Sequence, residues 1–508
     1  PITVYGDFDA DGVTSTAIIS MFFTELDVPL RFYIPDRLTE GYGLNIEAIR
    51  KIYENNRQQW GEPGVLITTD CGISDGDAAE IAKQLGFTLI ITDHHKPPEK
   101  LPRADAILNP LQPGCDFPCK NLAGVGVAFY LIHGLRSELV EKGHWPEDKI
   151  PNLKSYMDLT AIGTVADQVP ITECNRIIVK AGLEVLNLAE RVGLRVLLNN
   201  IKGYESGITS EDIAFRLAPR INAVGRIGSA QKAVELLNTS VIEDAENLAF
   251  ELEEANQTRK NIETDIFNEA IQMVPANHSA ETNSLILYKG DWHQGVLGIV
   301  ASRLVEKYNR PAILLTDCIM EDTSEMQDLV KGSGRSVEGI DIHNAVASCR
   351  ELLERFGGHA GAVGLTLPRD NIESFRQWFD QIIAEDILKT PRTANLMIDA
   401  ETTLEMLVDK NFISAYCLLA PFGAGNPEPV FSMNSQKLIN PRLVGSNHLR
   451  FSIEENSRYI DGIGFGFGDF LQEAKKSLLD IAFKLRTNSY MGQNKWEMYT
   501  IALRPTIQ

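Results

Sequence analysis

Ile2-Thr3-Val4-Tyr5-Gly6-Asp7-Phe8-Asp9-Ala10-Asp11-Gly12 opens the chain and decides how it is read. Ile2–Tyr5 reads as a short apolar strand. Three aspartates follow at alternate positions, ahead of an apolar helix over Ser15–Phe23. Two further apolar runs end in the same way: Val65–Thr69 leads into Asp70-Cys71-Gly72, and Thr88–Thr92 into Asp93-His94-His95. A helical stretch around Asp77–Leu85 separates these two runs, and Ala104–Leu108 supplies a fourth strand. Strands alternating with helices predict βαβ units and a parallel sheet. In an open α/β sheet, ligands bind beyond the carboxyl ends of the strands. Three strands therefore bring acids and imidazoles to one edge.

Clustered carboxylates cannot all stay ionised without compensation, and divalent cations are the natural compensation. Hard oxygen ligands mixed with imidazole nitrogen suit Mn²⁺ and tolerate Mg²⁺. Two such cations about 3.5–4 Å apart can bind a phosphate, lower the pKa of a bridging water and stabilise a leaving oxygen. The small residues Ala10 and Gly12 would let the loop turn tightly around a metal. The competing reading is that these acids only cap helices and turns. It suits one aspartate better than a whole set at three strand ends. Asp167, in Gly163-Thr164-Val165-Ala166-Asp167-Gln168-Val169-Pro170, follows a helix, and its spacing alone cannot place it in the site.

The chain has 508 residues, which exceeds what one hydrophobic core usually sustains and predicts two to four domains. With 44% hydrophobic and 23% charged residues it reads as a soluble globular protein. No apolar run reaches the roughly 18 residues of a membrane span. The first residues already form a strand and lack an initiator Met, so a truncated N-terminus is expected. Seven cysteines, most of them alone in apolar or turn settings, fit a reducing cytoplasm better than a disulfide scaffold. The lone Cys115-x-x-x-Cys119 lacks the second pair a zinc site needs. The net charge of -21 argues against a nucleic-acid binder. Net charge does not report the local field in a groove, however, and a carboxylate site is acidic only until its cations arrive.

Helices are expected over Val125–Leu139, Ser155–Val165 and Ile178–Leu186, closing a first domain at residues 1–237. Ala245, Leu248, Leu252, Ala255, Ile262, Ile266 and Ala270 then recur at helical spacing. They predict a long connecting helix within 238–275, capped by Thr239 or Ser240 and ended by Pro275. A smaller α/β domain, 276–390, holds strands Leu285–Tyr288 and Ala312–Leu315, a helix Val296–Lys307 and an acidic loop Asp317–Leu329. The last unit, 391–508, reads as an all-β barrel of the OB type, with strands Leu449–Ile453, Tyr459–Phe467, Asp480–Leu485 and Trp496–Leu503.

The strand-end motifs, together with Val165-Ala166-Asp167, resemble the DHH phosphoesterase superfamily, named for Asp93-His94-His95. The resemblance implies that Asp9, Asp11, Asp70, His94 and Asp167 bind two Mn²⁺ or Mg²⁺ ions, with Mn²⁺ favoured, while Asp7 and His95 orient, coordinate or assist. Tyr5 stands where some members carry a histidine ligand, and it is not expected to bind metal. Four further blocks are similar to the RecJ family of single-strand-specific exonucleases: Leu217–Arg226, Gly332–Ser336, Phe356–Gly364 and Leu419–Pro429. The two middle blocks belong to the DHHA1 domain that partners the catalytic domain in that family. By this resemblance Arg37, Ser333 and Arg335 hold a 5′-phosphate, His359 contacts the scissile phosphate, and Arg220, Asn222 and Arg226 line the strand channel. An arginine fork matches phosphate bidentately.

The barrel would add a platform for a single strand, with Phe451, Tyr459, Phe483, Trp496 and Tyr499 as stacking candidates and Arg450, Lys484, Arg486 and Lys495 along the backbone. The implied activity is 5′→3′ hydrolysis of single-stranded DNA to mononucleotides, in repair and recombination, by a cytoplasmic monomer that contacts single-strand-binding protein. Two alternatives remain at this level. One is a phosphodiesterase of short oligonucleotides or cyclic dinucleotides, which would need no extra barrel. The other is a non-catalytic repair scaffold, which would need no full ligand set.

Overall fold

The computed structural model describes residues 1–201, 207–274, 282–318, 329–389, 395–488 and 495–506. Its first sheet contains β1 (Ile2–Gly6), β2 (Leu30–Tyr33), β3 (Val65–Thr69), β4 (Thr88–Thr92) and β5 (Ala106–Leu108), all parallel, in the order β2-β1-β3-β4-β5. The chain moves from β1 to β2 on one side and returns to β3 on the other, so the crevice of this doubly wound sheet opens between β1 and β3. The sequence reading did not include β2. All four of its residues are only half-buried, so it lacks the apolar run that marks its neighbours.

The helix after β1 starts at Ala10, five residues earlier than expected, with Asp9 as its N-cap accepting from the backbone N–H groups of Asp11 and Gly12. Ala10 and Gly12 thus belong to the first helical turn and not to a loop. Val13, Ala17, Ile18 and Phe22 from this helix build the largest core together with the helices Gly124–Glu141, Met157–Ala166, Glu173–Leu188 and Gln231–Asn238.

A 32-residue helix, Ile242–Met273, leaves this unit. At about 1.5 Å rise per residue it is long enough to span a small domain. Ala245, Ala249 and Leu252 sit in the first core, whereas Ile266 and Ala270 join Leu285, Leu297 and Leu314 in a second. Its N-cap is Val241, in place of Thr239 or Ser240. The expected stop at Pro275, the 390/391 boundary and residues 319–328 of the acidic loop lie outside the described residues.

The second sheet holds β6 (Leu285–Tyr288), β7 (Ala312–Asp317), β8 (Leu329–Arg335), β9 (Arg355–His359) and β10 (Ala362–Pro368), in the order β6-β7-β8-β10-β9. Only β6 and β7 run parallel; β8, β10 and β9 form an antiparallel flank. Glycine weakens strand propensity, which is why β8–β10 read as motifs and not as strands in the sequence.

The third sheet contains β11 (Ala400–Glu401), β12 (Phe431–Gln436), β13 (Ile439–Val444), β14 (His448–Glu455), β15 (Arg458–Phe465), β16 (Leu479–Asn488) and β17 (Lys495–Pro505), ordered β11-β12-β16-β17-β15-β14-β13. The expected β unit is present, and three short helices, Leu404–Leu407, Lys410–Cys417 and Leu471–Lys476, cover its core. The expectation of unpaired thiols is corrected for one pair. A disulfide joins Cys119 and Cys174, whose Cα atoms lie 6.2 Å apart. Residues 55 apart in sequence meet because the segment before Gly124 runs beside the start of the helix at Glu173, where Asn175 donates to Asn121 O at 2.6 Å. No helix among the described residues is long and apolar enough to cross a membrane.

Phe483 is fully buried among Phe431, Phe451 and Tyr416. Phe483→Ala is expected to lower stability by about 3–5 kcal/mol, read as a shift of the denaturant midpoint with an unchanged slope.

Candidate metal centre

β1, β3 and β4 end side by side, and each end carries its acids into the crevice. Asp7 and Asp9 leave β1, Asp70 leaves β3, and Asp93, His94 and His95 leave β4. Asp70 takes a left-handed backbone (φ +62°), which aspartate tolerates better than most residues. Its N–H donates to Thr92 O at 3.0 Å, tying the two strand ends together. Two glycines let the walls close. A Cβ on Gly12 would lie 2.6 Å from Asp7, and one on Gly124 2.6 Å from Asp70 Oδ1.

Three overlapping groups of side chains bring ligand atoms within 4.8 Å of one another: Asp7, Asp9 and Asp70; Asp70, His94 and His95; and Asp11, His94 and Asp167. Asp70 and His94 each belong to two groups. His94 Nε2 lies 3.2 Å from Asp70 Oδ1, 3.6 Å from Asp167 Oδ2 and 3.9 Å from Asp11 Oδ2. Asp167, which spacing could not place, is brought in by the end of the helix Met157–Ala166, whose C-cap it forms. Asp11 is held by two N–H groups at the start of the helix Gly124–Glu141, from Gly124 at 2.6 Å and Val125 at 2.8 Å. A helix N-terminus is a favourable seat for a carboxylate.

The donor set fits divalent cations. Asp7 Oδ1, Asp70 Oδ1 and His94 Nε2 are buried and find no hydrogen-bond partner. A buried lone pair without a donor is costly, and a cation shared among such atoms would remove that cost. Burial, then the charge of neighbouring aspartates, raises the carboxyls: Asp11 to about 7, Asp167 to about 9, and Asp7 and Asp70 well above the usual range. Burial, then the proximity of His95, lowers His94 to about 4 and leaves its nitrogen free to coordinate at neutral pH.

Asp93 and Tyr42 were missed as site residues. Asp93 Oδ1 lies 2.8 Å from His95 Nδ1 and also accepts the N–H groups of His94 and His95. Burial opposes protonation of His95, but this bond together with the charges of Asp93, Asp11 and Asp7 outweighs it and raises His95. A carboxylate that orients a site histidine is a common device, and the name-giving triplet hinted at it. Tyr42, between Gly41 and Gly43, places its hydroxyl 3.2 Å from His95 Nδ1. Tyr5 turns its hydroxyl away, donating to Gly43 O at 3.0 Å.

The remaining expected residues divide. Asn222 Oδ1 accepts from Ala10 N at 2.6 Å, so it supports the aspartate loop directly. Arg226 is half-buried and donates to Gly295 O of the second unit at 3.0 Å. Burial, then the nearby Arg37 and Arg259, lowers it to about 9. Arg37 and Arg335 are lowered as well, first by burial; Arg37 adds to the effect at Arg335, while Asp7 and Asp9 oppose it at Arg37. Arg220 is committed to Glu253 at 2.6 Å. Ser333 and Arg335 lie in β8, two residues apart and hence on one face. His359 ends β9, exposed, and the register His359–Ala362–Arg335 puts it in one row with Arg335.

Of the stacking candidates, Phe451 and Phe483 are core, and Trp496 packs against that core. Tyr459 is exposed, and Tyr499 lies under Arg486 at 4.5 Å and beside Phe465. Of the basic candidates, Arg486 pairs with Glu428 and Glu211, Lys484 with Glu428, and Arg450 with Asp461 and Glu497. Lys495 is exposed.

Asp11 and Asp167 keep in the folded chain protons that the unfolded chain has released. Above about pH 6.5, where an unfolded histidine has also released its proton, and up to about 9, folding stability in EDTA is therefore expected to fall as pH rises. Mn²⁺ replaces those protons, so its stabilising effect should grow over the same range. Thermal melts with EDTA and with Mn²⁺ at each pH test this; a flat or rising EDTA profile would contradict it.

Residues 1–164 match the DHH family, N-terminal domain; residues 281–385 match the DHHA1 domain, and residues 398–501 the RecJ OB domain. The single-stranded-DNA-specific exonuclease RecJ of Bacillus subtilis is 37% identical over 97% of this chain, and the chain spans 60% of that relative's length. RecJ of Haemophilus influenzae is 34% identical over 99% of this chain, which covers 88% of the relative. The crystal structure of RecJ from Thermus thermophilus in complex with Mn²⁺ superposes with a TM-score of 0.81 at 29% identity, covering 100% of this chain and 69% of that one. The Mg²⁺ complex of the same protein gives 0.74 at 28% identity, covering 100% and 68%. With identity above 30% sustained along nearly the whole chain and matches to the DHH, DHHA1 and RecJ OB domains, this protein belongs to the RecJ family of DHH phosphoesterases.

Proposed function

We propose that the chain is a metal-dependent exonuclease that hydrolyses single-stranded DNA from its 5′ end. The observation that carries this reading is the meeting of Asp7, Asp9, Asp11, Asp70, His94 and Asp167 around buried atoms that lack hydrogen-bond partners, in a chain whose relatives are named single-stranded-DNA-specific exonucleases. Asp9, Asp11, Asp70, His94 and Asp167 would hold two Mn²⁺ or Mg²⁺ ions, and Asp7 shares a ligand group with Asp9 and Asp70. When bound, such ions polarise a phosphate and lower the pKa of an attacking water.

The chain's own groups do the rest. Asp93 fixes the His95 ring, and Tyr42 closes over its outer edge. Neutral His94 keeps its lone pair inward. Asn222 holds the turn from which Asp7 and Asp9 project. At the junction of the first two units, burial and then Arg37 hold down the affinity of Arg226 and Arg335 for protons, Arg335 adding to the effect at Arg226, and an anion there would relieve them. Arg37 and Arg335, with Ser333, would take the 5′-phosphate and set how far the strand enters. The row Ser333–Gly364–Gly357 beside Arg335–Ala362–His359 gives a floor on which Gly357 and Gly364 leave open space. The backbone of a single strand can lie on it, with His359 at its end facing the scissile phosphate. Action as a cytoplasmic monomer, in contact with single-strand-binding protein and in repair and recombination, belongs to the same reading.

Asp70→Ala and Asp167→Ala should each abolish release of mononucleotides from 5′-labelled single-stranded DNA while leaving the circular dichroism spectrum unchanged. Persistent Mn²⁺-dependent cleavage in both variants would refute the assignment. Arg335→Ala is expected to raise KM for a 5′-phosphorylated strand by about tenfold or more, from a lost charge-assisted contact of roughly 1.5–3 kcal/mol. A 5′-hydroxyl strand should be nearly indifferent to the change, and equal losses on both substrates would remove the phosphate role.

A further inference from the structure

The loop that delivers Asp167 does not stand alone. Residues 167–172 join the helix Met157–Ala166 to the helix Glu173–Leu188. A turn of the C-terminal unit, residues 418–426, grips this loop and its surroundings. Ile171 N–H donates to Ala424 O at 2.7 Å. Gly425, at φ +69°, comes so close that a Cβ there would lie 2.9 Å from Pro170 Cβ. Arg176, one turn into the following helix, donates to the carbonyls of Leu418 and Leu419 at 2.8 Å and of Ala420 at 3.0 Å. These carbonyls follow directly on the helix Lys410–Cys417, where unsatisfied oxygens gather and a cation is favoured. Ser210 Oγ donates to Phe422 O at 2.6 Å from the other side. The turn is itself pinned, because Asn426 Nδ2 donates to Leu419 O at 3.0 Å and Pro421 O at 2.8 Å.

We infer that this turn of the C-terminal unit is a positioning element of the metal centre: by holding the 167–172 loop it sets the place of Asp167, and Arg176 and Ser210 are the side chains through which it does so. The inference rests on the reading of Asp167 as a metal ligand. Asp167 reaches the centre from a loop at a helix end, whereas Asp7, Asp9, Asp70 and His94 leave strand ends braced by the sheet. A clamp on the loop is therefore what keeps the geometry at this corner. The C-terminal unit thereby acts on catalysis as well as on the strand.

Mn²⁺ binding to the full chain, followed by the electron paramagnetic resonance of free Mn²⁺, tests this with Arg176→Met, Ser210→Ala and Asp167→Ala. Arg176→Met and Ser210→Ala are expected to weaken one of two binding steps by about 10–100-fold, the usual cost of losing an outer support. The other step and the melting temperature in EDTA should hold, and raised Mn²⁺ should restore cleavage. Wild-type isotherms in both supporting variants, with a lost step in Asp167→Ala, would overturn the clamp and leave the ligand assignment standing. A wild-type isotherm in Asp167→Ala would overturn both. If Arg176→Met loses its fold, Ser210→Ala decides by the same isotherm.

Discussion

The repulsion among buried carboxylates at the β1/β3 crevice governs the rest of this structure. Two unit charges about 4 Å apart interact with roughly 4 kcal/mol at an effective dielectric near 20, and four aspartates here have raised pKa values. The fold holds them together against that cost through backbone devices. Asp9 caps a helix, Asp11 takes two N–H groups from another helix, and Asp70 is held at a strand end in a left-handed turn. Each device ties part of an acid to the backbone and leaves its remaining lone pairs facing inward. Protons or divalent cations can satisfy that remainder, so a cation held here would couple its binding to folding.

A second concentration of like charge faces the first. Arg37 comes from the first unit, Arg335 from the second, and Arg226 spans the boundary by donating to Gly295 O. The acidic total of the chain hides both concentrations, because net charge sums over surfaces that never meet. Separated in this way, the acids would collect cations and the arginines would collect phosphate under the proposed function. The long helix Ile242–Met273 keeps the two in register by burying one end in each core.

The strand-end acids and imidazoles were legible because their chemistry is local: an apolar run stops and an acid or imidazole begins. β2 was missed for want of apolar contrast, and β8–β10 because glycine reads as a turn. In these strands Gly332 packs against Leu315 and Leu365, and Gly334 against Ile313 and Val363. The aromatic candidates of the C-terminal unit show the limit of alternation. A period of two tells which residues share a face, but not which face is covered. The helices Leu404–Leu407 and Lys410–Cys417 settle that for Phe451 and Phe483, which are core.

By itself, the order of residues determined the set of acids and imidazoles, their delivery to one sheet edge and the succession of three units, since each follows from short-range pattern and backbone rules. Only the tertiary structure decided that Asp167 joins His94, that Asn222 braces Ala10, that Cys119 meets Cys174, and that a turn near residue 424 touches the loop carrying Asp167. Those pairings join residues tens to hundreds of positions apart. Helix packing and unit docking set them, and no periodicity along the chain records which surfaces come together.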